Sequence, residues 1–500
     1  MEPNPSVYLR AVRREALSAE LFGAGLESGA SQVIMQRSAE VLAHLIVRQE
    51  HLPTLLRKRL PEQHAALHVI EGRLRVDGVA APPSLAKVLA HAHTREGEPG
   101  AADVENYDRI VAALADGVRA LRKRQRSPQD IAFVTELCRT LAQSELILRE
   151  EITLQLEAVR QEVRHDAQPV AALPPPTEER LSRYLRERFP EHPGLMVLNV
   201  QRLVGDNSKD IFFFDVESAE GLSGSYVMRR EPAYNVTRAC LANEEPLLRY
   251  LYEARVPVPR VLLGEADAQH FGGGFIVTEK LRGAPRAPSQ LGERGITIVS
   301  ELADILALIH GVNVIRSLPQ CADAGKSTAH RVLAKVDAMY QRWVAERSED
   351  SVVIELAYQW LVTHAENLDD TAVLTHGDFS LRNVLLDDGR ISAILDWELC
   401  CVSHPAEDLA YIRPWVTPIM PWSEFLAIYR ARSGRDVSAF ALFYFSVWTT
   451  FWNAIIGASV YSGYHFHQHR NFVFASVACV EYFEKLESLS RLIAQPSPVE

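Results

Sequence analysis

The hydrophobic rhythm of the chain changes partway along. Between Ser31 and Glu50, Ile34, Val41, Leu42, Leu45 and Ile46 fall on one stripe at helical spacing, and Asp103 to Arg124 and Pro128 to Val163 repeat that style. Residues 1 to 167 are therefore predicted to be all-helical, interrupted by a Gly-, Pro- and His-rich loop from His91 to Gly100. The rhythm stops at Gln168 to Thr177, where prolines rule out a helix and the stretch reads as a semi-rigid linker. Thr177 then caps a new helix, with Glu178 and Glu179 in its first turn. Beyond it the pattern turns to short apolar runs: Val197 to Val204, Ile211 to Val216, Tyr226 to Arg230 and Phe275 to Thr278 are predicted strands. A further pair, Val384 to Leu386 and Ile391 to Leu395, flanks Asp387-Asp388-Gly389 and predicts a hairpin.

Length adds that one core is not enough: 500 residues imply two or three domains. A net charge of −11 argues against nucleic acid or an anionic membrane surface as main partner, while leaving room for a local basic pocket that takes an anionic substrate. The 6 cysteines lack C-x-x-C spacing, so reduced thiols and a cytoplasmic location are expected. Met1 to Glu20 alternates charges without an apolar stretch of signal-peptide type. Ala439 to Ala458 carries no charge and is long enough to span a bilayer, but Ser446, Thr449, Thr450 and Asn453 dilute it and no basic flank orients it. A buried helix is expected there, and no membrane span.

The chemistry concentrates between Thr375 and Trp415. Asp378, then Asn383 five residues on, then Asp396 after the predicted hairpin, match the spacing of a kinase catalytic loop and its metal-binding strand end. Phosphoryl transfer from ATP needs a carboxylate within reach of the attacking hydroxyl, and separate oxygen ligands holding magnesium against the phosphates. Asp378 is the candidate base. Asn383 and Asp396 are the candidate metal ligands, since Mg²⁺ takes few protein oxygens and fills the rest of its octahedron with water and phosphate. The hairpin brings both to one end.

This segment, HGDFSLRNVLL followed by ILDWELCCVSHPAEDLAYI, resembles the aminoglycoside phosphotransferase and choline kinase superfamily, most of all the branch with the kinase domains of acyl-CoA dehydrogenase fusions and bacterial 4-hydroxyacid kinases. The resemblance covers about residues 180 to 490. It implies an α+β, bilobed protein-kinase-like fold: an N-lobe with an antiparallel sheet at 178–282 and a mostly helical C-lobe at 283–495, after the linker at 168–177. Residues 1–167 would be an all-α accessory or interaction domain, giving a homodimer or partner contact. Within the loop the resemblance makes His376 an orienting residue, adds Arg382 to the catalytic group, and makes Asp408 a brace.

For the nucleotide, the resemblance expects a phosphate-covering loop at Gly205 to Asp210, where Ser208 is the side-chain candidate. The strand at Tyr226 to Arg230 would carry the ATP-binding lysine, but arginines stand there. Period-two alternation favours Arg229 over Arg230 for the cleft face, with both kept open. Glu244, on the following helix, is its ion-pair candidate, and Glu279 with Leu281 would form the hinge under adenine. Phe271 to Phe275 reads as a hairpin turn. Trp415, Trp422, Trp448 and Trp452 read mainly as core, and His465, His467 and His469 as pocket lining or surface rather than a metal site. The expected activity is ATP- and Mg²⁺-dependent phosphorylation of a small-molecule hydroxyl, on a hydroxyacyl-CoA or hydroxyacid. The alternatives are an aminoglycoside or amino-alcohol kinase, which should carry an acidic acceptor pocket, and a pseudokinase scaffold.

Overall fold

The computed structural model describes residues 51–90, 101–122, 128–161, 175–203, 209–219, 221–232, 235, 237–313, 318–321, 323–347, 350–465 and 472–495. The expected helix at Ser31 to Glu50, the loop at His91 to Gly100, most of the proline-rich linker, and Gly205 to Ser208 lie outside the described residues. Helices α1 (Leu52–Val76), α2 (Pro83–Ala90), α3 (Ala101–Arg122) and α4 (Pro128–Gln161) come first. Their apolar stripes meet: Leu67, Ile70 and Leu74 of α1 and Ile110, Leu114 and Val118 of α3 are all buried. Gly117 permits the close approach, since a Cβ there would sit 2.6 Å from the Ile70 side chain.

Thr177 caps α5 (Glu178–Arg188), its Oγ1 accepting from Arg180 N at 3.2 Å. Five strands follow, β1 (Met196–Arg202), β2 (Asp210–Glu217), β3 (Gly224–Arg230), β4 (Val261–Glu265) and β5 (Phe275–Glu279), with helix α6 (Glu244–Glu253) between β3 and β4. They form an antiparallel sheet of order β1-β2-β3-β5-β4. One face packs Phe212, Phe214, Met228 and Val277 onto Leu181 and Leu185 of α5. Strand β4 was not among the expected elements; its Val-Leu-Leu run is too short to show a period. The Gly272 to Gly274 run is the turn joining β4 and β5, and a Cβ at Gly273 would meet Glu231 O at 2.4 Å.

The rest is mostly helical: α7 (Gly295–Gly311), α8 (Thr328–Glu346) and α9 (Val352–His364) precede two small antiparallel pairs. These pairs are β6 (Val373–Thr375) with β9 (Cys401–Ser403) and β7 (Val384–Asp387) with β8 (Arg390–Ile394). Helices α10 (Ala406–Val416), α11 (Trp422–Ser433), α12 (Ala439–His465) and α13 (Phe472–Ala494) close the chain. Ile298, Val299, Leu302 and Leu306 of α7 centre a core shared with Phe379, Trp397, Leu409 and Phe425. The class is α+β, in the protein-kinase-like order of an antiparallel sheet followed by a mostly helical part, with helices ahead of both. Ala439–Gly463 is long and apolar enough to cross a membrane by length and composition, and 61% of its most apolar window is buried.

Packing divides the chain into two compact units that are not linear. Residues 1–170, 335–365 and 450–499 form one; residues 171–334 and 366–449, with Glu500, form the other. In the first, α9 packs on α3, α4 and α13, and Glu355 of α9, which is 1% exposed, binds Arg119 of α3 and accepts from Tyr340 Oη at 2.9 Å. Segments 335–365 and 450–495, expected within a C-lobe of 283–495, are thus built into the unit that holds the N-terminal helices. Their apolar faces could not signal in the sequence which partner would cover them.

Candidate active site

The site is assembled wholly within the second unit. Strand β6 ends at Thr375, and the chain then turns through Gly377. Its φ of +84°, and the 2.5 Å that would separate an added Cβ from Leu399 O, leave room for no other residue. Asp408, fully buried at the start of α10, accepts from His376 N at 2.8 Å and Gly377 N at 2.9 Å, and faces His310 Nε2 at 3.1 Å. Burial alone would raise its carboxyl, but His310 and His376 outweigh that and hold it below the ordinary range. His310 in turn meets Tyr429 Oη at 2.8 Å. Asp408 therefore braces the loop.

His376 is fixed by two bonds. Asp378 N donates to its Nδ1 at 3.2 Å, so the ring proton lies on Nε2, which donates to Leu395 O at 2.9 Å. The imidazole ties the loop to the end of β8 and has no nitrogen left for chemistry. Asn383 donates from Nδ2 to both Asp378 O and Oδ2 at 2.9 Å, leaving its Oδ1 for a cation. Asp378 Oδ1 is buried with no hydrogen-bond partner. Burial pushes the Asp378 carboxyl above its ordinary value, with Asp396 adding to the rise and His376 opposing it.

The hairpin turns at Asp388 and Gly389, both with positive φ, as a two-residue turn of type I′ requires. Leu395 N donates to Asn383 O at 2.7 Å, so the two arms end together. Asp396 follows with φ of +64°, a left-handed conformation that is uncommon for a residue with a side chain and concentrates at functional sites. It aims the carboxylate at Arg229, whose Nη1 donates to Asp396 Oδ1 at 3.0 Å while Nη2 binds Glu244 Oε2. Burial alone would lower the guanidinium, but Glu244 and Asp396 raise it, so it stays charged. Burial likewise pushes Glu244 upward against the pull of Arg229.

Arg230 points the other way. It is 1% exposed, paired to Asp210 Oδ2 at 2.6 Å and donating to Phe271 O at 2.8 Å. Arg382 lies on the surface, its guanidinium 5.4 Å from the Trp415 ring centre and bonded to no part of Asp378 among the described residues. Glu279 is occupied: its Oε1 accepts from Arg260 N at 2.8 Å and its own N donates to Arg260 O at 2.9 Å. Leu281 is half-buried just beyond β5. Ser208, His467 and His469 lie outside the described residues. The structure thus brings together Asp378, Asn383, Asp396, Arg229 and Glu244, and leaves Arg382 apart.

Three residues of the site went unnoticed in the sequence. Lys209 Nζ stands 2.6 Å from Glu398 Oε2, and Thr237 Oγ1 donates to the same carboxylate at 3.0 Å. Glu398 is two residues past Asp396, and that closeness was the available signal. No group of three His, Cys, Asp or Glu side chains converges as a closed metal site among the described residues. The oxygens of Asn383 and Asp396, near the unpartnered Asp378 Oδ1 and Glu244 Oε1, are a hard donor set suited to a magnesium ion that shares its shell with phosphate and water. An open groove of about 710 Å³, lined by Tyr250, Leu308 and Arg432 among others, shares no residue with this constellation.

Residues 199–443 match the phosphotransferase enzyme family. Acyl-CoA dehydrogenase family member 11 of Gallus gallus is 30% identical over 247 residues, 46% of this chain and 30% of that protein. Hygromycin-B 4-O-kinase of Escherichia coli is 25% identical over 253 residues, 48% of this chain and 68% of that protein. The chain therefore spans about a third or less of the length of the first of these relatives. Among solved structures, a thermostable mutant of aminoglycoside phosphotransferase APH(4)-Ia in ternary complex with ADP and hygromycin B is similar at a TM-score of 0.43 and 18% identity, covering 62% of this chain and 98% of that one. The loop, the hairpin and the ion pair all lie within the stretch 199–443 that matches the phosphotransferase enzyme family.

Proposed function

We propose that the second unit transfers the γ-phosphoryl group of ATP to a hydroxyl of a small molecule bearing negative charge, a hydroxyacid or hydroxyacyl-CoA. The observation that carries this reading is the buried, unpartnered Asp378 Oδ1 beside the Asn383 and Asp396 oxygens. Asp378 accepts the proton of the attacking hydroxyl, and its raised carboxyl makes it a better base than an ordinary aspartate. His376, Asn383 and Asp408 hold that carboxylate in position; none of them exchanges a proton. Arg229, locked by Glu244, offers a fixed guanidinium to the nucleotide phosphates in the place where lysine is usual. Asn383 and Asp396 would hold Mg²⁺, which when bound supplies positive charge against the transferring phosphates.

Two observations support the anionic acceptor. Arg382, though not bonded to the constellation, stands exposed over Trp415 and near enough to Asp378 to pull its carboxyl downward, a cation beside the candidate base where a cationic aminoglycoside would call for acid. Relatives named as acyl-CoA dehydrogenases favour a CoA-linked substrate. The likeness to hygromycin-B 4-O-kinase favours the second reading, an aminoglycoside acceptor. ATP-dependent phosphorylation of a panel of hydroxyacyl-CoA thioesters, hydroxyacids and aminoglycosides tests both. Turnover confined to aminoglycosides would overturn the anionic acceptor, and ATP binding without turnover on any acceptor would leave the scaffold reading.

A further inference from the structure

Arg229 is an overcommitted cation. It already holds two carboxylates, Glu244 and Asp396, and a triphosphate entering beside Asp378, Asp396 and Glu398 meets a strongly acidic wall. The register of the sheet supplies another positive charge. Ile211 of β2 pairs with Arg229 of β3, so the two side chains share a face, opposite to the one where Phe212, Phe214 and Met228 form the core. Lys209, two residues before Ile211, falls on that same face, one strand over from Arg229. Its side chain is 2% exposed, and its ammonium is 2.6 Å from Glu398 Oε2 and 3.4 Å from Thr237 Oγ1.

A lysine ammonium has three donors, and these contacts use two. Burying a lysine costs free energy unless it is paired, and one carboxylate of a residue beside the metal-ligand candidate Asp396 is a sparse pairing for a purely structural role. We propose that Lys209 is a nucleotide-binding residue: held by Glu398 and Thr237 on the cleft face of the sheet, it gives its third donor to the ATP phosphates and supplies the lysine missing from β3. This rests on the phosphotransferase reading of the same site. It also adds a second cation to the site, with Arg229 fixing the metal-ligand strand end as well as meeting phosphate and Lys209 supplying further positive charge.

Equilibrium binding of ATP and of adenosine to the full chain tests it. Lys209→Met should weaken ATP about ten- to a hundred-fold, the worth of one charged hydrogen bond, and leave adenosine within about twofold. Lys209→Arg should recover most of the loss. If Lys209 merely neutralises Glu398, the double variant Lys209→Met, Glu398→Gln will bind ATP as well as Glu398→Gln alone, which overturns the proposal; so does an equal loss for ATP and adenosine. Should Lys209→Met fail to fold, the unaltered protein still decides: an acyl-phosphate derivative of ATP, which acylates amines lying against the phosphates, should label Lys209 and be blocked by ATP. Labelling that spares Lys209 overturns the proposal. Failure of the unaltered protein to bind ATP would instead overturn the phosphotransferase reading itself.

Discussion

The two aspartates of the site differ in what surrounds them, and they should fail differently. Asp378→Asn keeps the shape but removes the carboxylate proposed to take the hydroxyl proton, so turnover should drop by about two to four orders of magnitude while MgATP affinity stays near normal. Asp396→Ala removes a metal-ligand candidate and half of the Arg229 network, so metal-dependent nucleotide binding should go too. Titration of nucleotide binding with and without Mg²⁺ separates the two, and full turnover by Asp378→Asn would remove the base from the mechanism. The adjacent arginines divide in the same way. Arg229→Ala should weaken ATP binding in a folded protein, whereas Arg230→Ala leaves the buried Asp210 carboxylate only the half-exposed Arg202 as partner and should destabilise by about 1 to 3 kcal/mol in chemical denaturation. Equal effects on ATP binding at matched stability would contradict the strand register.

At the level of elements, the loop is held by Asp408 and by backbone groups of the neighbouring strands. Gly377→Ala would drive a Cβ into Leu399 O, and the loop must shift to relieve it. A folded protein with turnover reduced at least about tenfold is expected, because small misplacements of a catalytic group are expensive. Normal turnover would mean that the turn is pliable. His404 offers a pH test of the neighbouring pair β6 and β9. Its Nδ1 accepts from Ala406 N at 3.1 Å and its Nε2 faces Asp369 at 3.1 Å, so it is held as the neutral tautomer. Burial lowers its pKa from 6.5, with Asp369 opposing. The folded state thus binds fewer protons than the unfolded one below that value, and stability falls as pH drops through it. Tm should decrease between pH 7 and pH 5 in the parent protein and decrease less in His404→Gln; parallel slopes would exclude His404 as the cause.

For the whole molecule, the expected linear boundary and the packing are separate matters. Proteolysis between Gln168 and Thr177 should nick the chain, because a proline-rich stretch offers extended backbone to a protease. The nicked fragments should nonetheless co-elute on size exclusion, since α9 and α13 pack with α3 and α4 inside one unit. Separation of an intact residue 1–167 fragment would show that the helical segment folds alone. For the same reason a truncation that begins after the linker uncovers the buried Leu361, Leu486 and Leu489, and it should express poorly or aggregate.

Asp378, Asn383 and Asp396 were legible from the sequence because one short stretch, closed on itself by a two-residue hairpin, carries all three, and turn chemistry and spacing are local. Arg229 followed from alternation along a single strand, and the Thr177 cap from one hydroxyl before two acidic residues. Strand β4 escaped because five residues with a glycine among them show no period. Lys209 with Glu398, Asp408 with His310, and Glu355 with Arg119 were beyond reach, since each pair joins residues far apart in the chain. Periodicity records which face of an element is buried, and it carries no sign of which distant element does the burying. The sequence by itself determined which carboxylates and amide the loop and hairpin bring together; only the tertiary structure decided which cations face them, that His310 backs Asp408, and with which helices the segments 335–365 and 450–495 are packed.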